Sequence, residues 1–364
     1  MRHHSARQPR PGVGPTPEQL WAAIAGGRGP AVVARELAAG VGERGSTVVR
    51  SVSSGFLADD DWSDEHDPTS ATGHQVVMGM LPDWPAHGSA DRSASPSDCI
   101  GLVVLAPAQL VRDDPHFARL IAAATTAAGA HCLTLAVHVV GEAGLGSAPP
   151  LAGDPRYAGA LLVNVTANRA TGLCARRPRA PLVSLGKSAP WLPCVNPDNA
   201  GGAAAAVGHL VAQGRRDVAM VSGPAWNPCS AERTSGYRQA MAAFGLRPLV
   251  AGADFTPQGA AKATARLLHD RPALDALFVA SDLMAVGALA ALRAGGRRAP
   301  DDVAVVGFDN SLPSVLSTPP LSSVHQPVEE IVAAAVEAIL ESGGKHPQEQ
   351  RLPTKLVVRA SSSA

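Results

Sequence analysis

The chain has 364 residues, which is too long for one ordinary compact core and predicts two or three domains. Its 31 basic and 31 acidic residues balance, which excludes a global electrostatic attraction to nucleic acid or to an anionic membrane. Five cysteines occur without a C-x-x-C pair, so we expect reduced thiols and a cytoplasmic protein. The lack of a signal-peptide core and of an apolar run of membrane-spanning length indicates the same compartment and predicts no membrane partner.

The first hundred residues change in charge along the chain. Arginine predominates in residues 1–56, which also carry helical patterns, whereas acidic residues predominate in residues 57–98. The acidic stretch is rich in serine, proline and glycine and has no sustained period. We therefore predict a small helical head followed by a linker that is mostly loop.

From residue 99 onwards, short apolar runs of strand length alternate with helical patterns. The predicted strands are 100–105, 132–137, 159–163, 181–185, 194–195, 218–222, 249–250, 276–280 and 303–306. The predicted helices are 117–128, 200–213, 232–244, 258–269 and 328–340, together with one that begins at Ser281 or Asp282 and ends at Gly295 and Gly296. Such alternation predicts an α/β fold with parallel strands, and the two successive series predict two sheets.

Polar residues follow two of these predicted strands at the point where each strand ends. Ser281 and Asp282 come after one strand, and Asp309 and Asn310 come after the next. In an open α/β sheet, the ligand crevice lies beyond the carboxyl ends of the strands. We therefore expect these four residues to touch a small polar ligand, with an oxygen of Ser281 or Asp282 capping the following helix.

The segment that contains these residues resembles a known family. Residues 279–310, VASDLMAVGALAALRAGGRRAPDDVAVVGFDN, are similar to the corresponding segment of the lactose-repressor and galactose-repressor (LacI/GalR) family of bacterial transcription regulators. Further similar blocks occur in the family's order at 195–202 (VNPDNAGG), 209–215 (HLVAQGR), 230–238 (SAERTSGYR), 316–327 (LSTPPLSSVHQP) and 352–359 (LPTKLVVR). The resemblance covers roughly residues 99–359, and many ordered blocks are more specific than one short motif.

This resemblance implies a two-lobed core like that of type I periplasmic binding proteins. Each lobe would be a parallel sheet flanked by helices, with residues 99–213 plus 321–342 in the first lobe and 214–318 plus 347–359 in the second. Three crossovers would join them, near Gly214, near Pro319 and Pro320, and near Gly343 and Gly344. A cleft between two such lobes is a ligand site that opens and closes about its hinges.

The family pattern also implies which residues contact the effector. These are His116, Phe117 and Asp198 in the first lobe, and Arg233, Phe255, Ser281 and Asp309 in the second. An arginine fork, a carboxylate acceptor and an aromatic face suit a sugar, a sugar phosphate or a purine-like ligand. The alternatives are that Arg233 and Asp309 only pair with each other, and that Phe255 belongs to the core.

Residues 33–52 resemble a divergent copy of the family's helix-turn-helix head. Residues 39–42 (AGVG) match its turn, and Thr47 stands where the recognition helix begins. Arg44, Ser46, Thr47 and Arg50 are therefore candidate contacts to DNA bases and phosphates. The head has extra residues before Thr47 and lacks the family's hinge segment, so a helical extension that packs on the core or is disordered is the alternative.

Together these features predict a DNA-binding repressor controlled by a small-molecule effector. We expect a homodimer on a palindromic operator, no cofactor, no metal and no catalytic residue. One alternative is a cytoplasmic sugar sensor of the same fold that does not bind DNA. Another is an α/β enzyme that modifies sugars, but the sequence contains neither a G-x-S-x-G nor an H-E-x-x-H motif for such chemistry.

Overall fold

The computed structural model describes residues 98–140, 154–174, 180–341 and 349–363. The predicted head, with Arg44, Ser46, Thr47 and Arg50, lies outside the described residues, as does the predicted linker except for Asp98. No helix among the described residues is long and apolar enough to cross a membrane.

The first lobe is built on a six-stranded sheet. Its strands are β1 Cys99–Leu105, β2 Thr134–Val140, β3 Tyr157–Val163, β4 Leu182–Leu185, β5 Cys194–Pro197 and β11 Glu349–Leu352. They lie in the order β11-β5-β4-β3-β1-β2, and every neighbouring pair is parallel. The helices of this lobe are α1 Ala108–Asp113, α2 Pro115–Ala130, α3 Ala167–Cys174 and α9 Val328–Leu340. Helices α2 and α9 share an apolar core on one face of the sheet, because their buried faces meet the same strand side chains.

The second lobe is also built on a six-stranded sheet. Its strands are β6 Val218–Ser222, β7 Leu249–Gly252, β8 Ala276–Val279, β9 Ala304–Asp309, β10 Ser322–His325 and β12 Lys355–Val357. The order is β12-β10-β9-β8-β6-β7, with only the β10 and β12 pair antiparallel among the described strands. Its helices are α4 Asn199–Ala212, α5 Pro228–Ala243, α6 Pro257–Asp270, α7 Asp282–Ala294 and α8 Leu312–Leu316. Strands β6, β8 and β9 are buried along their whole length, as expected for parallel strands covered on both faces.

The predicted α/β architecture with two sheets is therefore confirmed, and most elements lie close to their predicted positions. The β6 strand has the predicted bounds, whereas α5 begins several residues before its predicted start at residue 232. The earlier start has a local cause: Asn227 accepts a hydrogen bond from the backbone N–H of Cys229, and Pro228 occupies the first helical position.

The crossovers between the lobes differ from those predicted. The chain first crosses at Asp198, not near Gly214, because the apolar face of α4 packs on the second sheet. It returns at residues 326–327, after β10 has paired with β9, and crosses again at residues 353–354, after β11 has paired with β5. Periodicity predicts that an element has an apolar face, but it does not specify which of two sheets covers that face.

Two of the crossovers are hydrogen-bonded to each other. The backbone N–H of Asp198 donates to the carbonyl of Leu352 at 2.8 Å, and the hydroxyl of Thr354 donates to the carbonyl of Asp198 at 3.1 Å. Gly202, in the first turn of α4, lies so close to this point that a Cβ there would be 2.7 Å from the hydroxyl oxygen of Thr354. The first and third crossovers therefore run side by side.

Candidate functional site

A cavity of about 300 Å³ lies between the carboxyl ends of the two sheets. Residues at or after the carboxyl ends of β1 and β3 line it from the first lobe, and residues at or after the carboxyl ends of β6, β7, β8 and β9 line it from the second. This is the position in which open parallel sheets bind ligands. Six of the seven predicted effector contacts line the cavity, namely His116, Phe117, Arg233, Phe255, Ser281 and Asp309.

Arg233 lies on the second turn of α5 and is only 4% exposed. Its Nη1 is 3.6 Å from the Oδ1 of Asp309 and donates to the carbonyl of Ala280 at 2.5 Å. Its Nε donates to the Oδ1 of Asn199 at 2.9 Å, and its Cζ lies 3.7 Å from the ring centre of Phe308. Among the described residues, no hydrogen-bond partner is seen for Nη2. The guanidinium is therefore held rigidly while one nitrogen stays available to a ligand.

Asp309 is the last residue of β9 and is 5% exposed. Its φ of 108° lies in the left-handed region, which is costly for a residue with a side chain and is often found at functional sites. Gln326, at the second crossover, donates to its Oδ1. Burial raises the pKa of Asp309 to about 6, opposed by Arg233, by Gln326 and by the backbone N–H of Asp282. The carboxyl group therefore titrates close to neutral pH.

Asp282 is not a cavity residue, although the sequence predicts that it touches the ligand. It is fully buried beneath the turn, where its Oδ2 accepts from the backbone N–H of Ser311 at 2.7 Å and from the Ser311 hydroxyl at 3.0 Å. Its Oδ1 accepts from the hydroxyl of Ser323 at 2.6 Å. Burial, and then the nearby charge of Asp309, raises the pKa of Asp282 to about 8. Its contacts support the loop that follows β9.

Asn310 also differs from the prediction, because it is half-buried and bonds to groups that do not line the cavity. Its φ is 52°, its backbone N–H donates to the hydroxyl of Ser323 at 2.9 Å, and its Oδ1 accepts from Arg359 at 2.6 Å. Asp282 and Asn310 thus meet at one hydroxyl, that of Ser323. This shared contact holds the left-handed turn that presents Asp309 to the cavity.

Ser281 caps α7 as predicted, and it also lines the cavity. Its hydroxyl oxygen accepts from the backbone N–H of Met284 at 3.2 Å. The residue is 2% exposed, and its hydroxyl group can still donate one hydrogen bond.

The first lobe contributes a carboxylate that the sequence did not single out. Asp114 caps α2, because its Oδ1 accepts from the backbone N–H of His116 at 2.9 Å, and it also lines the cavity. Burial raises the pKa of Asp114, whereas burial lowers the pKa of His116. The imidazole of His116 is therefore neutral at pH 7, and its ring packs edge-on against Phe117 at 5.7 Å. The only sequence signal for Asp114 was its position directly before Pro115, since an acidic residue followed by proline is common at the start of a helix.

Two aromatic residues line the second-lobe side of the cavity. Phe255, with a φ of 64°, packs partly against the second-lobe core and also lines the cavity. Its ring lies against Gly223, where a Cβ would be 2.4 Å from the ring carbon Cζ. Trp226 is the second aromatic residue, and no sequence pattern identified it because it lies in a loop.

Asp198 is the one predicted contact that the structure does not bring to the cavity. It caps α4, since its Oδ1 accepts from the backbone N–H of Gly201 at 3.0 Å. The residue lies at the first crossover, and the described residues that line the cavity do not include it. The acidic residue in the NPDN block is therefore explained by helix capping.

Side chains from the two lobes meet beside the cavity. Asn227 donates through Nδ2 to the Oδ1 of Asn164 at 3.2 Å, and both residues line the cavity. Trp226 directly precedes Asn227, and the guanidinium carbon of Arg169 lies 5.6 Å from the centre of its ring. These contacts connect the first lobe to the loop between β6 and α5, so movement of the lobes would change the shape of the cavity mouth.

The arrangement as a whole is that of a binding site for a small polar molecule. It combines fixed hydrogen-bond donors and acceptors, aromatic faces and a position between two lobes joined by three crossovers. Comparisons with known proteins agree with this class. A family described as "Periplasmic binding protein-like domain" matches residues 207–362.

Individual relatives give the same result. The HTH-type transcriptional regulator CelR of Thermobifida fusca is 44% identical over 138 residues, which are 37% of this chain and 41% of CelR. The chain spans about half the length of the curated relatives that it matches. A solved complex of the transcriptional regulator CelR with cellobiose is 32% identical, with a TM-score of 0.67, covering 73% of this chain and 85% of the other. A lac repressor dimer bound to its operator and an anti-inducer shares the fold at 22% identity and a TM-score of 0.67, covering 75% and 96%.

The fold and the site define a two-lobed ligand-binding core of the periplasmic-binding-protein type. Within that class, the chain belongs to the LacI/GalR family, as the resemblance over residues 99–359 predicts.

Proposed function

We propose that this protein is a DNA-binding transcription regulator, a repressor, whose effector is a neutral sugar bound in the cavity between the lobes. The observation that carries the proposal is the buried pair of Arg233 and Asp309 on the cavity wall, 3.6 Å apart. A guanidinium with a free nitrogen and a carboxylate beside it can donate to and accept from neighbouring hydroxyl groups of one ring.

The charges on the cavity wall favour a neutral ligand over a sugar phosphate. Among the residues that the structure describes, three carboxyl groups line the cavity, those of Asp114, Asp254 and Asp309, against the single guanidinium of Arg233. Arg233 is already paired with Asp309, so a phosphate would meet carboxylates without a spare cation. Hydroxyl groups, in contrast, donate well to carboxylates. The complex of CelR with cellobiose agrees with a sugar effector.

The residues that we propose for the effector are those that line the cavity among the predicted set. Arg233, Asp309 and Ser281 would hold the hydroxyl groups, and Phe255 would lie against a ring face. His116 and Phe117 would complete the wall from the first lobe, where the neutral imidazole can donate or accept one hydrogen bond.

The proposed DNA contacts belong to the head, with Arg44, Ser46, Thr47 and Arg50 facing the major groove and the phosphates. A single small head binds DNA weakly, so we propose a homodimer on a palindromic operator in the cytoplasm. In support, Val286 on α7 and Leu312 and Val315 on α8 expose 38%, 55% and 55% of their surfaces on neighbouring helices. The lac repressor of the same fold is a dimer on its operator.

The effector would act by shifting the balance between two arrangements of the lobes. A ligand that contacts both lobes binds more tightly when they are closed, and only this difference in affinity can change DNA binding. Gln326 and Asn199 connect Asp309 and Arg233 to two crossovers, so the proposed ligand contacts and the hinges share hydrogen bonds.

Fluorescence anisotropy of labelled DNA from upstream of the protein's own gene tests the proposal. The full chain should bind a specific duplex at moderate salt, and one sugar of a neutral panel should change that affinity by about 5- to 150-fold. Sugar binding without specific DNA binding would instead identify the protein as a sensor. Enzymatic turnover of a bound sugar would contradict the proposal altogether.

A further inference from the structure

The two ends of the cavity differ in burial and in chemistry. At the inner end, Asp114, Arg233, Ser281 and Asp309 are 7%, 4%, 2% and 5% exposed, and each has fixed polar partners. At the outer end, Trp226 is 42% exposed. The cavity therefore runs from a polar, enclosed end to an open end with a large aromatic face.

Contacts from the first lobe hold the loop that carries Trp226. Arg169 of the first lobe packs over its ring at 5.6 Å, a distance typical of cation–π contacts. The next residue, Asn227, donates to Asn164 of the first lobe at 3.2 Å and caps α5 with its Oδ1. A half-exposed indole that is held by Arg169 on its ring and anchored through the next residue is a preorganised surface, and such a surface loses little side-chain entropy when a ring stacks on it.

A single sugar ring at the inner end would leave this surface unused. The inner groups supply donors and acceptors for one ring. The cavity volume of about 300 Å³ lies at the lower limit of the ~300–1,000 Å³ range of pockets that hold drug-sized ligands, so the cavity has room for a ligand larger than one ring. The apolar C–H face of a second ring is the natural complement of an indole face.

On the basis of the proposed function, we propose that the effector has two linked sugar rings. The first ring binds Arg233 and Asp309, and the second stacks on the indole of Trp226, which makes Trp226 the residue that selects ligand length. Arg169 of the first lobe would then lie close to the second ring, because it packs on the same indole and so joins the two lobes at this point.

Isothermal titration calorimetry of the full chain tests this proposal with matched pairs: glucose and cellobiose, galactose and lactose, xylose and xylobiose. We expect one disaccharide to bind at least about tenfold more tightly than its monosaccharide, the scale of one good aromatic contact. Trp226→Ala should remove about that tenfold advantage, so that the disaccharide loses more affinity than the monosaccharide, and Trp226→Phe should restore the advantage. Trp191→Ala is the matched control, because Trp191 is 47% exposed and is not among the cavity residues.

Each outcome distinguishes the two proposals. Equal affinity for the monosaccharide and the disaccharide, or a disaccharide affinity unchanged by Trp226→Ala, would overturn the two-ring ligand and leave the sugar effector in place. Absence of binding to all six sugars would overturn both. A Trp226→Ala variant that loses both members of a pair equally would move Trp226 to the first-ring site and overturn its role in selecting length.

Discussion

Arg233 and Asp309 form a buried ion pair on the wall of the cavity, and each is also hydrogen-bonded to a residue at a crossover between the lobes. Arg233 donates to Asn199 beside the first crossover, and Asp309 accepts from Gln326 at the second. Hydrogen bonds therefore link the two proposed ligand contacts directly to residues at the crossovers.

Arg233→Ala should strongly destabilise the fold. It leaves the buried carboxylate of Asp309 without its cation, and we expect a loss of about 3–5 kcal/mol in the free energy of unfolding from urea denaturation at pH 7.5. Arg238→Ala is the control, since Arg238 lies exposed on the same helix and should change stability by less than about 0.5 kcal/mol. Equal losses from the two variants would show that the pair contributes nothing specific.

Asp282 should make the stability of the protein depend on pH. Its pKa of about 8 in the folded protein lies above the ordinary value of 3.8, so folding favours the protonated carboxyl group. The stabilisation associated with this group is fully present below pH 3.8 and is lost as the pH rises through about 8. Between pH 5 and pH 8.5, the unfolding free energy of the unaltered protein should therefore fall relative to that of Asp282→Asn.

The control for this pH measurement is Asp270→Asn, because Asp270 is exposed at the end of α6. Asp270→Asn should leave the pH dependence as it is in the unaltered protein. A difference between the unaltered protein and Asp282→Asn that stays constant from pH 5 to pH 8.5 would contradict the raised pKa.

Ser323→Ala should disrupt the support of the left-handed turn at Asp309. The hydroxyl of Ser323 donates to Asp282 at 2.6 Å and accepts from the backbone N–H of Asn310 at 2.9 Å, so its removal takes one partner from a buried carboxyl group and one from a half-buried N–H group. We expect a loss of about 1–3 kcal/mol, visible as a lower Tm in calorimetry. Ser235→Ala, at an exposed position on α5, should leave Tm nearly unchanged. An equal Tm for both variants would remove the supporting role of Ser323.

Gly236→Ala and Gly208→Ala should have opposite effects. A Cβ at Gly236 would lie 2.2 Å from the carbonyl oxygen of Ala200, so α4 and α5 would be forced apart at a cost of about 1–3 kcal/mol. A Cβ at Gly208 meets nothing within 4 Å, and alanine there should stabilise α4 by about 0.5–1 kcal/mol. Urea denaturation of the two variants measures both effects, and a stabilising Gly236→Ala would contradict the close packing.

The sequence predicted the parts of the structure that depend on local patterns. The apolar run before Ser281 and the apolar residues before Asp309 indicated buried strands, and the parallel sheet then placed these two residues at the same edge. The capping role of Ser281 was also readable, because a serine before a helical period is a common helix start. Arg233 came from the family resemblance alone.

The parts that the sequence did not predict depend on contacts between distant segments. Asp198 and Asp282 are both acidic residues at helix starts, but one caps a helix at a crossover and the other lies beneath a turn, so neither lines the cavity. Trp226 is in a loop, where no period indicates which way a side chain points. The position of the first crossover depends on which sheet covers α4, and that choice is made by tertiary packing.

The most direct test of the account is the affinity of the full chain for the neutral sugars at pH 7.5, measured by calorimetry for the unaltered protein and for Asp309→Asn. Asparagine keeps the size of the side chain but removes the negative charge, so the best-binding sugar should lose about tenfold or more in affinity, whereas Asp270→Asn should bind as the unaltered protein does. A sugar that binds saturably and equally to both variants would show that the cavity between the lobes is not its site.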